Sequence, residues 1–215
     1  MQLEYDPGHK CGVFGVYNYN TINDTINTCI NGMNKLQHRG RESAGISYFK
    51  NNELITYKNN GSVANVFSSY FEENHTSTCI GHVRYSTTKI KNDMDKNDLS
   101  DLLPMSADTI FGSFSIAHNG NIPNMDKWRC KYMLKTNNDT EILVQYIQQN
   151  VVGLGWDRCL QNLLSDIKGV YCLLVLTSHG IYFFKDSYGY HPLCLGFNEA
   201  DDIYYISSES CAFDK

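Results

Sequence analysis

The amino-acid sequence predicts an α+β layered sandwich. Strand-length apolar runs lie towards both ends of the chain, helical stripes fall between them, and short polar loops join consecutive runs, which favours antiparallel pairing. The 215 residues, 42% hydrophobic and 19% charged, suit one compact domain with a core of ordinary size.

The first apolar run, "CGVFGVY" (11–17), reads as a buried strand whose glycines admit another backbone. Ile22, Ile26, Ile30, Met33 and Leu36 then recur at spacings of four and three, one apolar stripe of a helix that Asn20 or Thr21 would cap. The polar "QHRGRES" ends it. Strands are expected at "AGISYF", "ELITYK" and "TCIGHVRY", and at "SFSIAH" after a polar stretch from Lys89 to Ser106. Two helices follow: "DTEILVQYIQQ", with Asp139 as cap, and a stripe of Trp156, Leu160, Leu163, Leu164 and Ile167. "VYCLLVLT", "GIYFFKD", "PLCLG" and "IYYISSE" close the chain as strands.

Composition excludes several classes. A net charge of −5 with no basic stripe argues against nucleic acid or an anionic membrane as partner. No run of about 18 apolar residues spans a bilayer, and "MQLEYDPGHK" lacks a signal peptide's apolar core, so a cytoplasmic protein is expected. The eight cysteines are scattered, without a CxxC pair or zinc-ligand spacing. They read mostly as reduced core thiols, with no metal or cofactor expected.

Five polar segments sit at the ends of the expected strands: "LQHRGRESAGI" (36–46), "GHVRYSTT" (81–88), "AHNGNIPN" (117–124), "TNNDTEIL" (136–143) and "SSESCAFD" (207–214). Each alone has an ordinary explanation, such as a helix end, an edge strand or, for Asn-Gly, a tight hairpin turn. In this order, with "CGVFGVY" ahead and "KDSYGYHPLCLG" (185–196) behind, they resemble the class II glutamine amidotransferases, whose glutaminase domain is an N-terminal-nucleophile hydrolase. Within that group "LQHRG", "GHVRYSTT", "AHNGN" and "SSESCAFD" look most like the glutaminase half of the amidophosphoribosyltransferase family of purine synthesis. The likeness covers residues 11–214.

The resemblance implies a four-layer αββα sandwich of two antiparallel sheets between helices. It also implies that Cys11 is the nucleophile, its own α-amine acting as base once residues 1–10 are removed as a propeptide. An α-amine with a pKa near ~8 suits that task. By the same match, Arg84 holds the α-carboxylate of L-glutamine, Asp139 its α-ammonium, and Thr87 adds a hydrogen bond. Asn119 and the N–H of Gly120 form the oxyanion hole on a turn, and Arg39 orients the nucleophile's backbone beside Gly40.

Three positions depart from the family's usual pattern. Lys89 stands for a glycine, "NND" replaces a serine before the aspartate, and His191 replaces an arginine. No phosphoribosyltransferase domain is expected in this chain after "SSESCAFD", and the last strands of the usual domain are expected to be clipped. The expected activity is hydrolysis of glutamine to glutamate and ammonia through a γ-glutamyl thioester, the ammonia passing to an acceptor site on another chain. The alternatives are a catalytically silent glutamine-binding or regulatory module with an unprocessed N-terminus, and a hydrolase of another amide.

Overall fold

The computed structural model describes residues 11–19, 24–70, 76–85 and 99–213. β1 (Gly12–Asn18) leads to α1 (Thr25–Lys35), a 3-10 turn at Gln37–Arg39, the hairpin β2 (Ser43–Lys50) and β3 (Glu53–Asn60), a short α2 (Val63–Val66), and β4 (Thr78–Arg84). β5 (Met105–Thr109) and β6 (Gly112–Asn121) follow, then α3 (Met125–Tyr132), α4 (Thr140–Leu154) and α5 (Trp156–Asp166). The chain returns through β7 (Val170–Thr177), β8 (Gly180–Lys185), β9 (Cys194–Asn198) and β10 (Ile203–Ser207) to a 3-10 turn at Ser210–Phe213.

Two antiparallel sheets result: six strands in the order β3-β2-β4-β1-β10-β9, and four in the order β5-β6-β7-β8. Because side chains alternate across a strand, each sheet feeds two apolar layers. One face of β1 sends Phe14 and Val16 against Ile26, Cys29, Ile30, Met33 and Leu36, mostly from α1. The other face sends Val13 towards the second sheet, where it meets Ile80, Ala117, Leu174, Leu176 and Ile206. On the far side of that sheet, Phe114, Ile116, Leu173 and Val175 pack on Ile142, Leu143 and Ile147 of α4 and Leu160 and Leu163 of α5. This is the expected αββα sandwich.

Local details differ from expectation. Asp24 caps α1, its carboxylate accepting the Asn27 N–H, and the helix runs from Thr25; Asn20, Thr21 and Ile22 lie outside the described residues. Asn119 and Gly120 lie within β6, paired with Cys172 and Tyr171, and not on a hairpin turn. The strand continues past the dipeptide because a partner strand accompanies it to Asn121. Leu164 falls on the outer side of the α5 stripe, 37% exposed. β5, α2 and α3 went unforeseen, since none carries a clear apolar period. All eight cysteines are free, but only four are buried: Cys29, Cys79, Cys159 and Cys172.

Candidate active site

One pocket of about 220 Å³ opens where the ends of β1, β4 and β6 meet the start of α4, and its walls include Cys11, Arg84, Asn119, Gly120 and Asp139. Five of the seven sequence-nominated residues therefore share one cavity. Arg39 lies behind Cys11, and Thr87, like Lys89 and residues 1–10, falls outside the described residues.

The nucleophile side belongs to the six-stranded sheet. Ser208 clamps the start of β1, its hydroxyl accepting the Val13 N–H at 2.9 Å and its own N–H reaching the Val13 carbonyl at 3.0 Å. This leaves Cys11 projecting at the strand's end, half-buried, with its thiol donating to the Tyr85 carbonyl at 3.6 Å. Burial pushes the thiol's pKa up, outweighing the opposing effects of Tyr85 and Arg84, so the resting sulfur is protonated. Arg39, buried, donates from Nε to the Cys11 carbonyl at 3.0 Å. Its guanidinium also pairs with Glu209, which accepts from His38 at 2.8 Å. A side chain at Gly40 would run into the main chain of Arg84 and, at 2.8 Å, the Tyr85 nitrogen, so only glycine admits this approach.

The facing side comes from the four-stranded sheet. Asp186 occupies both main-chain groups of Tyr171, accepting its N–H at 3.1 Å and donating to its carbonyl at 2.9 Å. Gly120, opposite Tyr171, is thus in a close pair not hydrogen-bonded to β7, and its N–H points the other way. β5 pairs with β6 only as far as Met105 opposite Ile116, so among the described residues no strand pairs with that edge beside Gly120. A Cβ at Gly120 would lie 2.6 Å from the Tyr171 Cα, which reserves the place for glycine. Two residues on, the Ile122 N–H points along the same edge and donates to Asp139 Oδ2 at 2.7 Å. Asn119 is 1% exposed, and its side-chain nitrogen has no partner among the described residues. A buried, unmatched amide donor costs about 1–3 kcal/mol, recoverable by an acceptor placed in the pocket.

Asp139 stands at the expected helix start, but its carboxylate does not cap α4. It serves Ile122 and faces His118 Nδ1 at 3.5 Å, while Asn138 Oδ1 accepts the Thr140 N–H at 2.9 Å in its place. Burial alone would raise the Asp139 pKa; His118 and the Ile122 N–H outweigh it and hold the carboxyl below its ordinary value. Arg84 donates from Nη1 to the Asp101 carbonyl at 3.0 Å. His82, wholly buried on the pocket wall, has its pKa lowered to about 3 by desolvation and by Arg84, so it carries no charge.

The pocket walls thus carry a cation, an anion, a thiol and two amide donors. The pocket is smaller than the roughly 300–1,000 Å³ typical of drug-sized ligands, so it suits a molecule of amino-acid size. Residues 94–215 match a family described as the glutamine amidotransferase domain. The chain belongs to this amidotransferase family. Over 94% of its length it is 34% identical to the amidophosphoribosyltransferase of Methanocaldococcus jannaschii, and over 95% it is 30% identical to the human one. A solved structure of the glutamine phosphoribosylpyrophosphate amidotransferase of B. subtilis, complexed with ADP and GMP, superposes with a TM-score of 0.79 at 30% identity, over 95% of this chain. The chain spans only 42–44% of these three relatives' lengths.

Sequence reasoning missed Glu209, Ser208, Asp101, Asn138, His118 and His82 as parts of the site. The first two lie in the quoted "SSESCAFD", which signalled the family without revealing what they touch. His38, Glu209 and Cys211 also bring one ligand atom each within 4.8 Å of the others, a grouping that spacing could not show. Arg39 already holds Glu209 there, and its charge opposes a second cation. Among the described residues no helix is long and apolar enough to cross a membrane.

Proposed function

We propose that the chain hydrolyses L-glutamine to glutamate and ammonia, with Cys11 as nucleophile and its α-amine, freed by removal of residues 1–10, as base. The observation that carries this reading is the convergence of Cys11, Arg84, Asn119, Gly120 and Asp139 on one small pocket. The guanidinium of Arg84 takes the α-carboxylate and Asp139 the α-ammonium, which directs the side-chain amide towards the sulfur. Thr87 adds a hydrogen bond to the head. The α-amine accepts the thiol proton and the sulfur attacks the carboxamide carbon. Charge forms on the amide oxygen, met by the Asn119 amide and the Gly120 N–H. When the C–N bond breaks, the protonated amine supplies the proton that departs with ammonia. Water then attacks the thioester, the C–S bond breaks, and glutamate leaves. Arg39, gripping the Cys11 carbonyl, fixes the backbone that carries both sulfur and amine.

The raised thiol pKa supports the need for processing, because an amide-bound Cys11 has no amine to deprotonate it. The ammonia passes to an acceptor site on another chain. A diazo-ketone analogue of glutamine should label Cys11 and none of the other seven cysteines. Intact-mass measurement should show a species beginning at Cys11, with glutamate release rising with its fraction. Equal activity from a full-length chain would remove the α-amine from the mechanism.

A further inference from the structure

The two charges assigned to the amino-acid head stand on different layers of the sandwich, Arg84 at the end of β4 and Asp139 before α4. Opposite charges on one pocket wall attract, yet among the described residues the two form no ion pair. What keeps them apart is the segment 101–104. The Asp101 carbonyl accepts both Arg84 Nη1, at 3.0 Å, and Asn138 Nδ2, at 2.7 Å. The Asp101 carboxylate accepts the Asn137 N–H at 3.0 Å. One residue therefore grips the cation with its main chain, and the two residues before the anion with main chain and side chain together.

The segment is itself tied to the six-stranded sheet. Lys58 of β3 donates to the Leu102 and Pro104 carbonyls at 2.7 and 3.0 Å. Desolvation lowers the Lys58 pKa to about 8, as befits an amine pressed beneath the segment. In β2, Gly45 has no side chain where one would meet the Leu103 carbonyl and, at 3.0 Å, the Pro104 ring. The strap is thus fixed to β2 and β3 at one end and to the lead of α4 at the other. Asn138 serves both sides at once: its oxygen accepts the Thr140 N–H while its nitrogen donates to the Asp101 carbonyl.

We propose that Asp101 is a positioning residue that holds the Arg84 guanidinium off Asp139 and sets their separation to that of an α-carboxylate and an α-ammonium, with Asn138 as its tie. The inference rests on the glutaminase reading above and adds what makes the pocket selective for an α-amino-acid head. Without the tie, the cation would drift towards the anion and the two would neutralise each other in the empty pocket. Recognition would weaken while the sulfur and the amide donors stayed in place.

The test measures glutamate release and Cys11 alkylation by iodoacetamide, which has no amino-acid head, on the processed full chain. Asp101→Ala and Asn138→Ser should each raise KM for L-glutamine about five- to ten-fold with kcat within about two-fold, the loss of roughly one hydrogen bond. Alkylation should proceed at the native rate. Asp101→Asn keeps an oxygen for the Asn137 N–H and should restore KM to within about two-fold of native. A fall in kcat at unchanged KM, a parallel fall in alkylation, or Asp101→Asn behaving like Asp101→Ala would overturn the positioning role. An active native chain whose KM is the same in both variants overturns this inference alone. A native chain that never releases glutamate overturns the glutaminase reading, and this inference with it.

Discussion

The two walls of the pocket are built differently. The nucleophile wall joins segments far apart in the chain: Cys11, Arg39 and Glu209 meet through one carbonyl contact and one ion pair, and the Glu209 side chain is a third exposed. The opposite wall is local. His118, Asn119, Gly120 and Ile122 follow one another, and the loop before α4 folds onto the buried carboxylate of Glu141, which accepts the Lys135 and Thr136 N–H groups and the Thr136 hydroxyl. The first wall can lose chemistry with little loss of fold, whereas on the second the two are entangled.

The largest contrast should come from Cys11→Ala, which is expected to abolish glutamate release, by about 10³-fold or more, while the thermal midpoint stays within about 2 °C of native. Asn119→Ala should lower kcat by about 10²- to 10³-fold with little change in KM. If only KM rose, the amide would belong to binding and not to the oxyanion. Glu141→Ala touches no reacting atom but orphans buried donors, so stability should fall by about 3 kcal/mol and the midpoint by about 10 °C. A midpoint held within about 2 °C would show that wall to be no more entangled than the other. Glu209→Gln should be mildest: kcat down about three- to ten-fold as Arg39 loosens, with a midpoint shift of about 2 °C at most, since a partly exposed pair adds little to stability.

The sequence reading succeeded where chemistry and period coincide in a short stretch. Strand-length runs named nine of the ten strands, and motif segments held five of the residues that line the pocket. It went astray where the deciding contact lies elsewhere in the fold. Asn-Gly suggests a turn on local propensity, but β7 carries Gly120 into a ladder. Asp139 has the right chemistry for a helix cap, yet Asn138 takes that task and frees it for Ile122. Glu209 lies 170 residues from Arg39, and only the β1–β10 register brings them together. α3 was illegible for another reason: "MDKWRCKY" is largely polar and is flanked by left-handed residues, Asn124 and Met133, which no stripe announces.

His82 gives the nucleophile wall its own dependence on pH. Its pKa falls from about 6.5 in the unfolded chain to about 3 in the folded one. Below pH 6.5 the unfolded chain therefore takes up a proton that the folded chain refuses, and stability declines as the pH drops towards 3. Urea midpoints between pH 7 and 4 should show this slope, and His82→Met should flatten it.

Asp139 works in the opposite sense for any rate measured against pH. Its carboxyl stays ionised further into acid than an ordinary aspartate. The hold on a zwitterionic head is accordingly indifferent to mild acid. A fall of kcat/KM between pH 8 and 6 then reports protonation of the base and not weakened recognition, so the acid limb of the profile becomes a direct readout of whether the amine of Cys11 is free.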